Sequence, residues 1–302
     1  MTSTLVVLAV TSLVAATVNG ALGYGYSSIS VPVALVVIAG RILNPALVVI
    51  EVAINAYALY WNRHAARRVF PRVAPLALGL VPGVVIGALL LDHVAPTSIK
   101  LAALSALLPL ILIQASGKRW PLRNERRAAT PLGAGVGVLY GMTTISGPPL
   151  ALFWNNQGLV KDDFKVGLAV VRTIESTCAL IAYAWLGLLT QESAGILPYL
   201  VPGVVLGVPL GHWLVRRIGI ETFRRICMSF DAYLVSFGLA RTLVDAGVQP
   251  LLAYQVLALT SIVDSILLYG FFRVHPVPEP APQIEPARES DPALVGVQVV
   301  AP

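Results

Sequence analysis

The octapeptide Leu80-Val81-Pro82-Gly83-Val84-Val85-Ile86-Gly87 recurs as Leu200-Val201-Pro202-Gly203-Val204-Val205-Leu206-Gly207, with Leu206 for Ile86 as the single change. Two fainter echoes keep the same order in each half. Ser27-Ser28-Ile29-Ser30-Val31-Pro32 answers Thr143-Thr144-Ile145-Ser146-Gly147-Pro148, and Ile50-Glu51 answers Ile174-Glu175. A chain that repeats three signals in one order reads as two copies of one unit. Copies of this size in an apolar chain point to a transporter.

The setting of the repeat is hydrocarbon. The 302 residues are 57% hydrophobic and only 12% charged, where a soluble domain carries roughly 25% charge. Mean hydropathy is +0.79. About 20 apolar residues cross a bilayer as a helix. Runs of that kind predict spans at Pro45–Trp61, Val73–Leu91, Ile99–Ala115, Val166–Leu189, Ile196–Val215, Ile226–Ala240 and Leu251–Phe272. The fold class is therefore an all-α polytopic membrane protein.

The net charge of +6 does not imply nucleic acid. Its basic residues gather in short loops: Arg63, Arg67, Arg68 and Arg72; Lys118, Arg119, Arg123, Arg126 and Arg127; Arg216, Arg217, Arg224 and Arg225. The alternate loops Asp92–Ile99, Gln191–Ala194 and Asp245–Pro250 are poor in positive charge, as the positive-inside rule requires. A polybasic patch for lipid or RNA is the competing reading of the clusters. With the clusters placed in the cytoplasm, Pro45–Trp61 and Val166–Leu189 run in opposite directions. The halves are then inverted about a pseudo-two-fold axis in the membrane plane. The expected organisation is a first repeat over 1–117, a basic cytoplasmic linker over 118–130 and an inverted second repeat over 131–245. An additional transmembrane helix over 246–273 and a disordered cytoplasmic tail over 274–302 follow. The apolar N-terminal run lacks a basic n-region and reads as a retained membrane segment.

Each half opens on a segment that is broken. Thr4–Val18 leads into Asn19-Gly20-Ala21-Leu22-Gly23-Tyr24-Gly25-Tyr26-Ser27-Ser28-Ile29-Ser30-Val31-Pro32, and Pro131–Tyr140 leads into Gly141-Met142-Thr143-Thr144-Ile145-Ser146-Gly147-Pro148-Pro149. The flanking apolar runs of about 10–15 residues are short for spanning helices, so each region is expected to be a re-entrant hairpin, its break meeting the other within the membrane. Such breaks persist in lipid only where they line a protein cavity. Glycines such as Gly25 and Gly141 permit tight turns and close backbone approach. Ser30 before Val31-Pro32, and Ser146 before Gly147-Pro148-Pro149, carry a helix-start signature. Two helix N-termini aimed at the breaks would attract a small anion. Ser27, Ser28, Thr143 and Thr144 would add neutral donors, and Asn19 further polar capacity. Kinks or surface loops are the plainer reading of the same residues.

The paired patterns Gly20–Pro32 and Gly141–Pro149, and above all Ser146-Gly147-Pro148-Pro149-Leu150-Ala151-Leu152, resemble the sulfite exporter TauE/SafE family over roughly residues 1–270. Gly23-Tyr24-Gly25-Tyr26 and Gly141-Met142-Thr143-Thr144 are poorer in glycine than the family pattern. The resemblance implies a multi-pass protein of the bacterial inner membrane that moves a small inorganic or organic sulfur anion, such as sulfite or a sulfonate.

Ionisable residues inside spans need a reason, since a charge at the bilayer centre costs a few kcal/mol. Glu51 and Glu175 are candidate proton carriers. Arg172, one turn from Glu175, either neutralises it or engages the anion. The alternatives are a structural Arg172–Glu175 pair, and a Glu51 near the outer interface. Asp231 follows a basic loop and is expected to sit at the inner interface or pair with Arg225, with a role in transport as the alternative for it and for Asp264. Cys178 and Cys227 fall in spans and imply no disulfide framework. The histidines form no metal spacing. The tryptophans read mostly as interface anchors.

No nucleotide-binding Gly-x4-Gly-Lys-Ser/Thr motif occurs, no nucleophile–base pair is visible, and no cofactor is implied. The leading expectation is a proton-coupled secondary transporter, not an enzyme, working by alternating access. An intramembrane enzyme and an accessory subunit without transport of its own are the alternatives. The apolar surface permits a homodimer but does not specify one.

Overall fold

The computed structural model describes residues 2–35, 37–117, 124–158 and 161–274, which form eleven α-helices and no strand among the described residues. In order they are α1 (Thr2–Leu22), α2 (Tyr26–Ala34), α3 (Gly40–Trp61), α4 (Arg63–His93), α5 (Pro96–Ala115), α6 (Glu125–Thr143), α7 (Gly147–Asn156), α8 (Lys161–Trp185), α9 (Gln191–Ile218), α10 (Ile220–Asp245) and α11 (Pro250–Val274). Eight of them are long and apolar enough to cross a membrane. This is a multi-pass membrane protein, and every span expected from the apolar runs falls on a helix, except that α8 stops at Trp185, four residues short of the expected Leu189. The basic loop 118–123 and the tail 275–302 lie outside the described residues.

The repeated octapeptide lies mid-helix in α4 and α9, and neither helix breaks at Pro82 or Pro202. Its glycines explain why it recurs. A Cβ on Gly83 would lie 2.3 Å from the Ala134 carbonyl oxygen of α6, and one on Gly79 or Gly87 would also strike α6 backbone. Gly133, Gly137 and Gly141 of α6 meet the α4 backbone in the same way. On α9, a Cβ on Gly207 would lie 2.7 Å from Ala16 of α1, while Gly203 and Gly211 also abut α1. In lipid, helices associate through such small-residue seams because burial of apolar surface gives no drive between them. The pairing is reciprocal: α4 lies along α6, and α9 along α1. Gly141, expected at the second break, is thus a packing glycine within α6.

Salt bridges Arg68–Asp163 (2.6 Å) and Arg72–Glu125 (2.7 Å) tie the N-terminal part of α4 to the first turns of α8 and α6. At the other end of α4, Arg41 of α3 bonds Asp92. Arg225 of α10 holds Asp264 of α11 at 3.0 Å, so Asp264 anchors the additional helix.

The breaks differ from expectation in two respects. The first-half helix does not stop at Val18. It runs to Leu22, and Gly23 (φ +81°) and Gly25 (φ +107°) make the turn, a conformation that glycine adopts without strain. Consequently α2 starts at Tyr26 with Gly25 as its N-cap, and Ser30 and Pro32 lie inside it rather than at its start. In the second half the expected start holds: Ser146 is the N-cap of α7, and Pro148 and Pro149 occupy its first turn. The turn before it is made by Thr144 in the left-handed region (φ +60°). Trp154, read as an interface anchor, is buried against Gly167.

Candidate functional site

The two breaks touch. A Cβ on Gly147 would lie 2.9 Å from the ring of Tyr24, so the first turn of α7 rests on the turn between α1 and α2. Prolines carry no N–H. Gly147 is therefore the one backbone donor among the first three residues of α7, fewer than a free helix N-terminus offers.

Each short helix already meets a carboxyl group at this end, and it belongs to the protein. Ser27, in the first turn of α2, donates its hydroxyl to Oε1 of Glu51 on α3. Ser146, at the N-cap of α7, donates to Oε1 of Glu175 on α8. The halves thus use one arrangement, with a hydroxyl at the start of the short helix bonded to the carboxylate of the next long one. Glu51 is 1% exposed and Glu175 fully buried, so both lie in the protein core.

Arg172 joins the two. Its Nη2 donates to Glu51 Oε1 at 2.6 Å, while its Nε lies 3.7 Å from Glu175 Oε1. The expected pairing within α8 is therefore the weaker contact, and the strong one crosses to α3. Nη1 reaches Asn19 Oδ1 in the last turn of α1 at 3.5 Å. Tyr140, in the last turn of α6, donates its hydroxyl to Glu51 Oε2 at 2.6 Å. Asn55 donates to the Arg172 carbonyl at 3.2 Å. Two atoms in this dry cluster have no hydrogen-bond partner, Arg172 Nε and Glu175 Oε2.

A family model described as sulfite exporter TauE/SafE matches residues 8–237. The chain belongs to that family. A curated relative, the "Probable sulfite/organosulfonate exporter TauE" of Cupriavidus necator, is 31% identical over 160 residues, which are 51% of this chain and 62% of the relative. The match therefore spans less than two thirds of that relative's length. No solved structure gives a significant match.

Not every residue expected at a TauE/SafE-like site reaches this cluster. Asn19, Ser27, Glu51, Ser146, Arg172 and Glu175 do. Gly25 and Gly147 shape the turns beside it. Ser28 turns instead to Asp231 of α10, at 2.9 Å. Asp231 does not pair with Arg225, which is committed to Asp264. Thr143 and Thr144 bond local backbone carbonyls and brace the second turn. Ser30 is buried with its hydroxyl unpartnered. Tyr140 was not anticipated. The usable signal was positional, since it sits in the last turn of α6 just as Asn19 sits in the last turn of α1.

A vestibule of about 540 Å³ adjoins the cluster. Asn19 and Asn55, both in contact with Arg172, are part of its lining, and Lys165, His212 and Arg216 bring positive or protonatable groups to its wall. Trp61 and Trp213, at the ends of α3 and α9, flank it.

Proposed function

We propose that this chain is a secondary transporter that moves small sulfur-containing oxyanions, such as sulfite or sulfonates, with protons by alternating access. Family membership and the printed function of the curated relative support the substrate class. The reciprocal α4–α6 and α1–α9 seams support a reading of the two halves as inverted repeats that rock against each other around a fixed centre.

The carrying observation is the donor set around Glu51: Arg172 Nη2, the Ser27 hydroxyl and the Tyr140 hydroxyl. Three donors converging on two carboxylate oxygens also suit two oxygens of a sulfur oxyanion. Glu51 thus acts as a stand-in that holds the site until substrate arrives. With both glutamates ionised the Arg172 cluster carries one excess negative charge and repels an anion. With one protonated it is neutral, and with both protonated it is a cation in a dry site, where attraction is strong. Proton binding therefore precedes anion binding, and the two cross together. Glu175, with Oε2 unpartnered beside Arg172, is the coupling carboxylate. Family membership favours a transporter over an intramembrane enzyme.

The decisive experiment is flux in proteoliposomes of purified protein, offering sulfite, thiosulfate, sulfoacetate, taurine and sulfate with and without a pH gradient. Saturable movement of one sulfur anion that responds to the gradient establishes the reading. Folded protein that moves none of them overturns it in favour of an accessory role.

A further inference from the structure

Asp231 lies apart from the Arg172 cluster and yet is tied to it. Its Oδ2 accepts from Ser28 at 2.9 Å, its Oδ1 has no partner, and the residue is 6% exposed. No cation reaches it among the described residues. Arg225 is held by Asp264 at 3.0 Å and Arg224 by Glu221 at 2.6 Å. The groups around it are uncharged. Tyr24 comes from the first break, its hydroxyl bonded by Gln114 of α5 at 3.2 Å; Cys227 lies one turn back on α10; Pro148 comes from α7, and Val18 and Leu22 from α1. No titratable side chain of α9 or α11 lines the space. These residues enclose about 10 Å³ where the two breaks cross, close to the smallest cavity that holds one water.

An unpaired carboxylate in such surroundings is costly, and a bound proton removes the cost. We propose that Asp231 is a second proton site of the transporter, linked to the anion site through the adjacent hydroxyls of Ser28 and Ser27. The inference rests on the proton-coupled reading above. Successive residues on a helix point about 100° apart, so the first turn of α2 grips Glu51 of α3 with one hydroxyl and Asp231 of α10 with the next. When Asp231 is ionised, its bond from Ser28 is charge-assisted and strong; when it is neutral, the bond weakens. The turn carrying Ser27 then shifts its hold on Glu51. The second half has no equivalent, because the first turn of α7 reads Gly147-Pro148-Pro149 and offers no second hydroxyl. One half alone therefore carries this proton.

The test uses purified full-length protein in liposomes with sulfite as the probe, alongside infrared spectra at neutral pH. A carbonyl band of a neutral carboxylic acid is expected in the wild type, with one component of it lost in Asp231→Asn. The variant should exchange sulfite at equal pH as the wild type does. Its gradient-driven accumulation should fall about tenfold per pH unit, since each coupled proton contributes one such factor. Asp231→Glu should restore both signals. An unchanged band, unchanged accumulation, or a band that responds to sodium instead of protons overturns the proposal. If Asp231→Asn does not fold, Ser28→Ala serves in its place: the band should shift in frequency without disappearing, and a band that does not move counts against the link. A wild type that moves neither sulfite nor any of the other four anions while the Asp231 band is present removes the transport reading and leaves the proton site standing. Gradient-driven sulfite transport without the band does the reverse.

Discussion

Arg172 bonds Glu51 on α3 at 2.6 Å and approaches Glu175, one turn along its own helix, only to 3.7 Å. The guanidinium therefore ties the first half of the chain to the second, and the looser contact is left to Glu175, the carboxylate proposed to exchange its proton. Buried ion pairs are poor sources of net stability, but a buried charge that loses its partner is expensive.

Removing that partner should be costly. Arg172→Met alone leaves two buried carboxylates uncompensated, and it should destabilise the detergent-solubilised protein by about 3–5 kcal/mol. Arg172→Met combined with Glu51→Leu should recover most of the loss. A double-mutant cycle followed by thermal unfolding measures the coupling; additive effects would show that the pair is not a unit.

Tyr140→Phe keeps the ring and removes one hydroxyl from Glu51. A hydrogen bond to a charged group contributes about 1.5–3 kcal/mol. If the same donor serves substrate, half-saturation for sulfite should rise roughly tenfold to a hundredfold with little change in expression. Concentration-dependent flux checks it.

Glu175→Gln removes an exchangeable proton and leaves an isosteric acceptor for Ser146. Exchange of labelled sulfite at equal pH should persist, while accumulation driven by a pH gradient should fall by about tenfold per pH unit, the factor that one coupled proton contributes. Unchanged gradient-driven uptake would remove Glu175 from the mechanism.

The seams make a sharper structural claim. Gly83→Ala places a methyl 2.3 Å from the Ala134 carbonyl oxygen, whereas a Cβ on Gly135 meets nothing within 4 Å. Gly83→Ala should therefore destabilise by on the order of 1–3 kcal/mol through overpacking, and Gly135→Ala should be neutral. Thermal stability in one detergent compares them directly.

Arg216→Glu reverses one charge on the vestibule wall without touching the Arg172 cluster. The sulfite uptake rate should fall several-fold at low salt and converge with the wild type at high salt, as steering charges do. A difference that persists in high salt would place Arg216 in the binding site itself.

Much of this architecture was legible locally. Apolar runs marked the long helices, because in hydrocarbon a segment must satisfy its own backbone and has only the helix to do so with. Ser146-Gly147-Pro148-Pro149 marked the start of α7, since proline without an N–H belongs in a first turn. The same logic failed at Ser30-Val31-Pro32. There Gly23 and Gly25 had already supplied the turn, and a helix begins where the backbone first becomes helical, whatever proline follows. The residue types of the site were also legible: Glu51, Arg172 and Glu175 stood out because charge in a span demands a reason.

Partner choice was not legible. Sequence spacing offered Arg172 to Glu175 and Arg225 to Asp231, both on one helix, and in each case the arginine turned to another helix, to Glu51 and to Asp264. Tyr140 and Ser28 found their carboxylates in the same way, across helices far apart in the chain. The sequence by itself determined the helices, the repeated glycine seams and the polar residues that enter the membrane, because hydropathy, missing N–H groups and missing Cβ atoms act within a turn or two. Only the tertiary structure decided which charges meet, because that depends on where the α4–α6 and α1–α9 seams bring the two breaks together, and Coulomb energy depends on distance in space, not along the chain.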